Sequence, residues 1–99
     1  MFGGSRYVTR GVNADVGLDL QLILWGLIDD LKNRTGFQLD YLQVFDLEYV
    51  KGVQKITHKQ ECPPYRRVHH FRVENPIDAK LFVIDDGNGH TTMMFNYEY

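Results

Sequence analysis

The chain has 99 residues, of which 43% are hydrophobic, 13% aromatic and 24% charged, and its formal net charge at pH 7 is −2. This length and composition predict one ordered domain over residues 1–99 with one modest core, and they exclude a disordered chain. The weak negative charge excludes a protein that binds nucleic acid over its whole surface and an acidic mimic of DNA, so any electrostatic recognition must be local.

The first third of the chain predicts a short strand followed by the one long helix. The segment RYVTRGV, residues 6–12, is typical of a strand, and a helix is predicted at about residues 17–34. Its apolar residues at helical spacing are Leu20, Ile23, Leu24, Leu27, Ile28 and Leu31. Leu18, Leu22 and Trp25 widen this apolar stripe, so we expect the helix to contact more than one surface.

A turn at Lys51-Gly52 predicts the first β-hairpin. The predicted pairs are Val50 with Val53, Glu48 with Lys55, Leu47 with Ile56 and Phe45 with His58. This register sets apolar residues against apolar residues and an acid against a base, which stabilises an antiparallel pair. It also alternates apolar and polar positions, as in a sheet with one solvated side.

The stretch HKQECPPYRRVHHF, residues 58–71, predicts a corner between two strands. Pro63 and Pro64 restrict the backbone and lack N–H donors, so they end one strand before the next, at residues 66–73. Cys62 is the only cysteine, which excludes an internal disulfide and suits a reducing compartment. The start of the chain lacks a signal-peptide core and no apolar run has the length of a membrane span, so we expect a cytoplasmic protein without a membrane partner.

The last hairpin is predicted at Asn88-Gly89, the preferred pair for a type I′ turn. The predicted pairs are Ile84 with Met93, Val83 with Met94 and Phe82 with Phe95. The hairpin is apolar on both faces, with Phe82, Ile84, Met93 and Phe95 on one and Leu81, Val83 and Met94 on the other. Another part of this chain, a second copy or a different protein must therefore cover the second face of this hairpin. Together these elements predict an α+β fold: a single antiparallel β-sheet of about five to six strands with one long α-helix packed across one face.

Several segments resemble a known family. RYVTRGV, LDLQLILWGLIDDL, LDYLQVFDLEYV, HKQECPPYRR and AKLFVIDDG are similar, in this order, to small proteins of Firmicutes and their mobile elements that form domain of unknown function family 960. The resemblance runs over most of the chain. It implies no activity, cofactor or catalytic residue, so the function has to be argued from the residues.

The spacing of the candidate ligands and nucleophiles argues against metal binding and catalysis. The candidate side chains are His58, Cys62, His69, His70, His90, Asp85 and Asp86. A zinc site needs two close pairs of ligands, whereas the cysteine is alone and adjacent histidines on a strand point to opposite faces. The acidic turn lacks the spaced oxygen ligands of a calcium loop, and no nucleophile has a recognisable activating partner. We expect no metal, no cofactor and no enzymatic activity.

Two recognition functions remain. Basic and aromatic residues over positions 65–72 favour a small nucleic-acid-binding accessory protein, although strand alternation divides the basic groups between two faces. Surplus apolar surface favours a non-enzymatic protein-interaction or regulatory module that binds another protein or a second copy of itself. For that module we expect the partner site at Tyr65, Arg66, Arg67, His69, Phe71 and Arg72. The alternative is that Tyr65 and Phe71 only complete the core while the arginines are solvated.

Overall fold

A computed structural model describes all 99 residues and has an α+β fold with one six-stranded sheet. The strands are β1 (Ser5–Val8), β2 (Leu42–Val50), β3 (Val53–Gln60), β4 (Tyr65–Phe71), β5 (Ala79–Asp85) and β6 (His90–Phe95). The helices are α1 (Arg10–Asp15) and α2 (Leu18–Lys32), with a 3-10 turn at Asn96–Glu98. The sheet order is β1-β6-β5-β2-β3-β4. The expected α+β class is confirmed.

The sheet is mixed, so the prediction of a purely antiparallel sheet is wrong in one strand. β1 runs parallel to β6, with Ser5 beside His90 and Val8 beside Met93, while the other four pairings are antiparallel. This pairing joins residues more than 80 positions apart, and a four-residue strand carries no local pattern that specifies its neighbour.

The predicted strand over residues 6–12 is correct only in its first part. Thr9 ends the strand and begins α1, because its side chain accepts a hydrogen bond from the backbone N–H of Val12 at 3.2 Å. A threonine in this N-cap position satisfies one of the free donors at the start of a helix. α1 then places Val12 in the core with no exposed surface.

The long helix forms where its periodicity predicts, although it ends at Lys32 rather than 34. Leu20, Leu24 and Ile28 have no exposed surface and pack on the sheet, and Trp25 is also buried. The expectation of a second contact surface is wrong for Leu18 and Leu22, which are 68% and 61% exposed.

The first hairpin has the predicted register in all four pairs. Lys51 and Gly52 have φ values of 49° and 83°, the left-handed conformation at both central positions that a type I′ turn requires. The corner is also confirmed, since β3 ends at Gln60 and β4 begins at Tyr65, leaving the two prolines in the connection.

The last hairpin differs from its predicted register by one residue. Val83 pairs with Met93 rather than Met94, and the loop contains Gly87, Asn88 and Gly89. Asp86 causes this longer loop: its carboxylate accepts the backbone N–H of Asn88 at 2.7 Å and of His90 at 3.2 Å. These hydrogen bonds lower the pKa of Asp86, the one from Asn88 most strongly.

A one-residue shift exchanges the faces of a strand. The predicted division of the apolar residues between the two faces of this hairpin is therefore wrong. The structure places Leu81, Val83, Met93 and Phe95 together in the core, beneath the helices. Phe82, Ile84 and Met94 alternate with them and point to the opposite face of the sheet.

Candidate functional site

The face of the sheet opposite the helices is only partly covered, and we call it the open face. Strand register sets Arg66, Lys59, Val44, Phe82 and Met94 in one row across β4, β3, β2, β5 and β6. The half-buried apolar side chains of this face are Leu42, Val44, Phe82, Ile84 and Met94. The chain terminus adds one contact, as Tyr99 meets Phe82 with ring centroids 5.9 Å apart.

A cavity of about 540 Å³ lies on the open face beside the proline corner, and we call it the open-face groove. Its lining is Leu42, Val44, Lys59, Gln60, Glu61, Pro64, Tyr65, Arg66, Lys80 and Phe82. Apolar side chains of β2 and β5 form one part, and three cations from β3, β4 and β5 form another. The groove therefore offers both apolar contact and positive charge.

The charges around the groove are only partly neutralised. Asp46 lies 2.6 Å from the ammonium of Lys59 and 3.9 Å from that of Lys80, so one carboxylate serves two lysines. Arg66 is exposed and has no carboxylate within ion-pair distance. Glu61 is the one acid in the lining, which leaves the groove with an excess of positive charge.

The six residues of the expected partner site do not share one surface. Arg66 lies on the open face, whereas Tyr65, Arg67, His69 and Phe71 lie on the side of the helices. The sixth residue, Arg72, follows the last residue of β4.

Tyr65 and Phe71 pack into the domain. The Tyr65 ring meets the rings of Phe37 and His58 edge-on, at centroid distances of 5.5 and 5.4 Å, and the guanidinium of Arg34 lies 5.8 Å from its centre. Phe71 is half-buried against the core. These contacts agree with the alternative interpretation, in which Tyr65 and Phe71 pack inside the domain. The arginines are therefore the better candidates for recognition.

A smaller cavity of about 200 Å³ lies between α2 and β4, and we call it the helix-side cleft. Its lining is Leu27, Asp30, Leu31, Arg34, Tyr65, Arg67 and His69. The Nε2 atom of His69 is the only buried side-chain nitrogen or oxygen in the chain without a hydrogen-bond partner. Burial lowers the pKa of His69, and the positive charge of Arg67 lowers it further.

Buried polar side chains hold the corner in place. Gln60 donates to the carbonyls of Gln38 and Pro63 at 3.1 and 2.9 Å, and its own amide oxygen accepts from Asp40 N–H at 2.9 Å and from Gln43 at 2.8 Å. This network was not predicted from the sequence. A signal was present in the sequence, since Gln43, Gln54 and Gln60 alternate with the strand residues that face outward and share their side of the sheet with apolar residues such as Phe45 and Ile56.

His58 belongs to the same network. Its Nε2 atom lies 2.7 Å from the amide oxygen of Gln43, and its ring stacks on Phe45 at a centroid distance of 4.4 Å, which confirms its expected position beside the core. Burial, with a smaller effect of His69, lowers the pKa of His58 from 6.5 to about 4. The ring is therefore neutral at pH 7.

The candidate metal ligands are dispersed. His58 is enclosed by the glutamine network, His69 and His70 lie on opposite faces of β4, and Cys62 is exposed in the corner. No group of three or more His, Cys, Asp or Glu side chains is arranged to hold a metal ion.

Comparisons with known proteins give a family and a fold. Residues 5–98 match the family model described as "Staphylococcal protein of unknown function (DUF960)". The chain is similar in structure to a crystallised protein of unknown function from Enterococcus faecalis, with a TM-score of 0.75 and 24% sequence identity over 97% of this chain and 91% of that one. No curated protein matches the chain. None of the helices has the length and apolar character needed to cross a membrane.

Proposed function

We propose that the chain, which belongs to this staphylococcal family of unknown function, is a non-enzymatic protein-interaction or regulatory module of a Firmicutes cell or mobile element. It binds a partner protein through the open-face groove and the adjoining corner at Arg66. We place it in the cytoplasm, because its one thiol is exposed at Cys62 and suits a reducing compartment.

The open face carries this proposal. Both helices pack on the other side of the sheet, so the apolar side chains around Val44 and Phe82 have no helix above them. Contiguous apolar surface with a polar rim is typical of protein interaction sites. The groove adds an arginine without a carboxylate partner, and arginine is among the residue types that most often contribute binding energy at interfaces.

The polar groups near the groove support binding rather than catalysis. Catalysis needs a nucleophile or carboxylate beside an activating group in one pocket. The Asp46 carboxylate instead serves two lysines. The Asp86 carboxylate lies 3.2 Å from the His90 ring at the turn between β5 and β6. Asp85 accepts the backbone N–H groups of Phe2 and Gly87.

Nucleic-acid binding by residues 65–72 is the alternative, and the geometry favours it less. Single-stranded nucleic acid needs aromatic platforms beside cations. Tyr65 and Phe71 share the helix side of β4 with Arg67, but their rings are not free to stack on bases. Tyr65 packs against Phe37 and His58, and Phe71 is half-buried against the core. The basic groups are also divided between the two faces, which reduces the number of phosphates that either face could neutralise.

The test compares two charge reversals at exposed arginines. Affinity capture from the native host with wild-type protein identifies the partner, which is then purified for calorimetric titration. We expect Arg66→Glu to weaken this complex more than tenfold, which corresponds to about 1.4 kcal/mol. Arg10→Glu, at the start of α1 and away from the groove, is the matched control and should leave the affinity unchanged.

A partner that binds both variants equally would refute the assignment to this surface. Circular dichroism must show the same thermal midpoint for both variants, so that lost binding is not lost folding. If single-stranded DNA or RNA binds at low salt and the affinity falls steeply as salt is added, the alternative is correct instead.

A further inference from the structure

β4 is an open edge of the sheet. The strand order ends at β4, whose one neighbour is β3, so alternate N–H and C=O groups over Tyr65–Phe71 point away from the sheet. Such an edge pairs with another extended chain unless something blocks it. Seven residues are long enough for a stable pairing, since strands of five or six residues are common.

The opposite edge of the sheet is different in both length and charge. β1 has four residues, and its one cation, Arg6, is bound to the carboxylate of Asp29 and lies 4.8 Å from the Trp25 ring centre. On β4, Arg66 and Arg67 have no carboxylate within ion-pair distance. Unpaired positive charge is therefore concentrated at the β4 edge.

The charge on β4 selects the kind of strand that can join it. Residues 65–73 contain Arg66, Arg67, Arg72 and two histidines but no acid. Pairing with β4 of a second copy would bring like charges together across the new ladder, which is destabilising. An acidic segment would place opposite charges there instead, so the edge discriminates in favour of an acidic partner.

The helix-side cleft provides a position for one acidic side chain. Arg67 and His69 project from β4 on this side, and Arg34 reaches the same cleft from the segment after α2. The two guanidinium groups outnumber the one carboxylate in the lining, that of Asp30, so the cleft keeps an excess of positive charge. The unpartnered Nε2 atom of His69 is buried there, and a buried polar atom without a partner is rare in folded proteins. A carboxylate accepts hydrogen bonds from imidazole and guanidinium donors alike.

We propose that an extended acidic segment of a partner protein joins β4 as a seventh strand and places a carboxylate side chain in the helix-side cleft, between Arg34, Arg67 and His69. This inference rests on the proposed function, because the strand belongs to the partner that the open face binds. Main-chain hydrogen bonds to β4 provide the affinity, and the cations select the acidic sequence.

The experiment uses the full chain and a defined probe. The probe is a capped seven-residue peptide in which glutamate alternates with valine, and its control has lysine in place of glutamate. Binding is measured by fluorescence polarisation up to about 1 mM peptide, and backbone amide exchange is followed residue by residue by NMR. We expect the acidic peptide, but not the lysine peptide, to slow the exchange of alternate backbone amides in β4, because these amides become hydrogen-bonded in the new ladder.

Variants that each remove one positive charge test the position of the carboxylate. Arg67→Gln and Arg34→Gln remove charge from the cleft and should each weaken peptide binding at least tenfold. Arg10→Gln removes an exposed charge at the start of α1, away from the β4 edge, and should weaken it less than threefold. Because Arg34 lies outside the strand, its effect reports the cleft and not only the net charge of the edge.

Several results would overturn this inference. They are unchanged β4 exchange with the acidic peptide, equal binding of the lysine peptide, tighter binding of an oligothymidylate, or a dimer in sedimentation whose β4 amides are protected without peptide. If Arg66→Glu disrupts the captured complex but the peptide leaves β4 unprotected, the proposed function holds and the added strand does not. If the peptide protects β4 and Arg66→Glu has no effect on the complex, the open-face assignment fails instead.

Discussion

Acid should destabilise this fold, and the buried side chain of His58 should contribute a large part of the effect. Its ring is 1% exposed, lies within 2.7 Å of the Gln43 amide oxygen and stacks on Phe45. Burial is the main reason that its pKa is lowered from 6.5 to about 4. Between these two values the unfolded chain binds a proton at His58 and the folded protein does not. The free energy of unfolding must therefore fall as the pH falls from 6.5 towards 4.

The size of this effect follows from the two pKa values of His58. A shift from 6.5 to about 4 corresponds to about 3 kcal/mol in total, since each pH unit between them contributes about 1.4 kcal/mol. Between pH 7 and pH 5 the expected loss is about 2 kcal/mol. That is a substantial part of the stability of a small domain, which is about 5–15 kcal/mol.

Urea denaturation at pH 7, 6 and 5 measures the effect in the wild type and in His58→Gln. Glutamine keeps an N–H donor for Gln43 and does not titrate, so the variant should lose about 2 kcal/mol less than the wild type over this range. His69 also titrates from a lowered pKa, but both proteins retain it. Equal losses in the two proteins, or an NMR titration that places the His58 ring near its ordinary pKa, would refute the reasoning.

Three further predictions concern stability. Gly26→Ala should raise the free energy of unfolding, measured by urea denaturation, by about 1 kcal/mol. The added methyl group meets no atom within 4 Å, and alanine favours the interior of a helix such as α2, so a decrease would contradict this reasoning. Gly4→Ala should lower the thermal midpoint by several degrees, since its Cβ would overlap the carbonyl oxygen of Gly89, and an unchanged midpoint would count against the close approach of these two backbone segments. Tyr65→Ala should cost about 2 kcal/mol through lost packing against Phe37 and His58. Arg67→Ala removes an exposed side chain and should cost less than about 0.5 kcal/mol, and equal costs would show that the packing of Tyr65 does not stabilise the domain.

Local patterns predicted the elements whose partners lie close in sequence. The register of the first hairpin follows from Lys51-Gly52, because a two-residue turn leaves few alternative pairings. In the last hairpin the expectation of a two-residue turn at Asn88-Gly89 was wrong. It considers only the turn residues and not the Asp86 side chain, whose hydrogen bonds close a longer loop. That one-residue difference moved Val83 and Met93 together into the core and Phe82 to the open face.

The sequence predicts how the side chains of β4 divide between the two faces of the sheet, but not the cavities that they line. The alternation of β4 is visible in the sequence, so the separation of Arg66 from Arg67 could be foreseen. The groove could not, because its lining joins β2, β5 and the corner, and Val44 and Phe82 meet only through strand pairing. The helix-side cleft likewise needs α2 to be docked beside β4 before Arg34 approaches His69.

By itself, the sequence of this protein determined the α+β class, the long helix and the corner at Pro63 and Pro64. These depend on hydrophobic periodicity and backbone restriction, which act between residues a few positions apart. Tertiary structure alone decided that β1 lies parallel to β6 and that β4 is left as an open edge. Such pairings join distant segments whose backbone groups are chemically alike, so the choice between them depends on how the whole core packs.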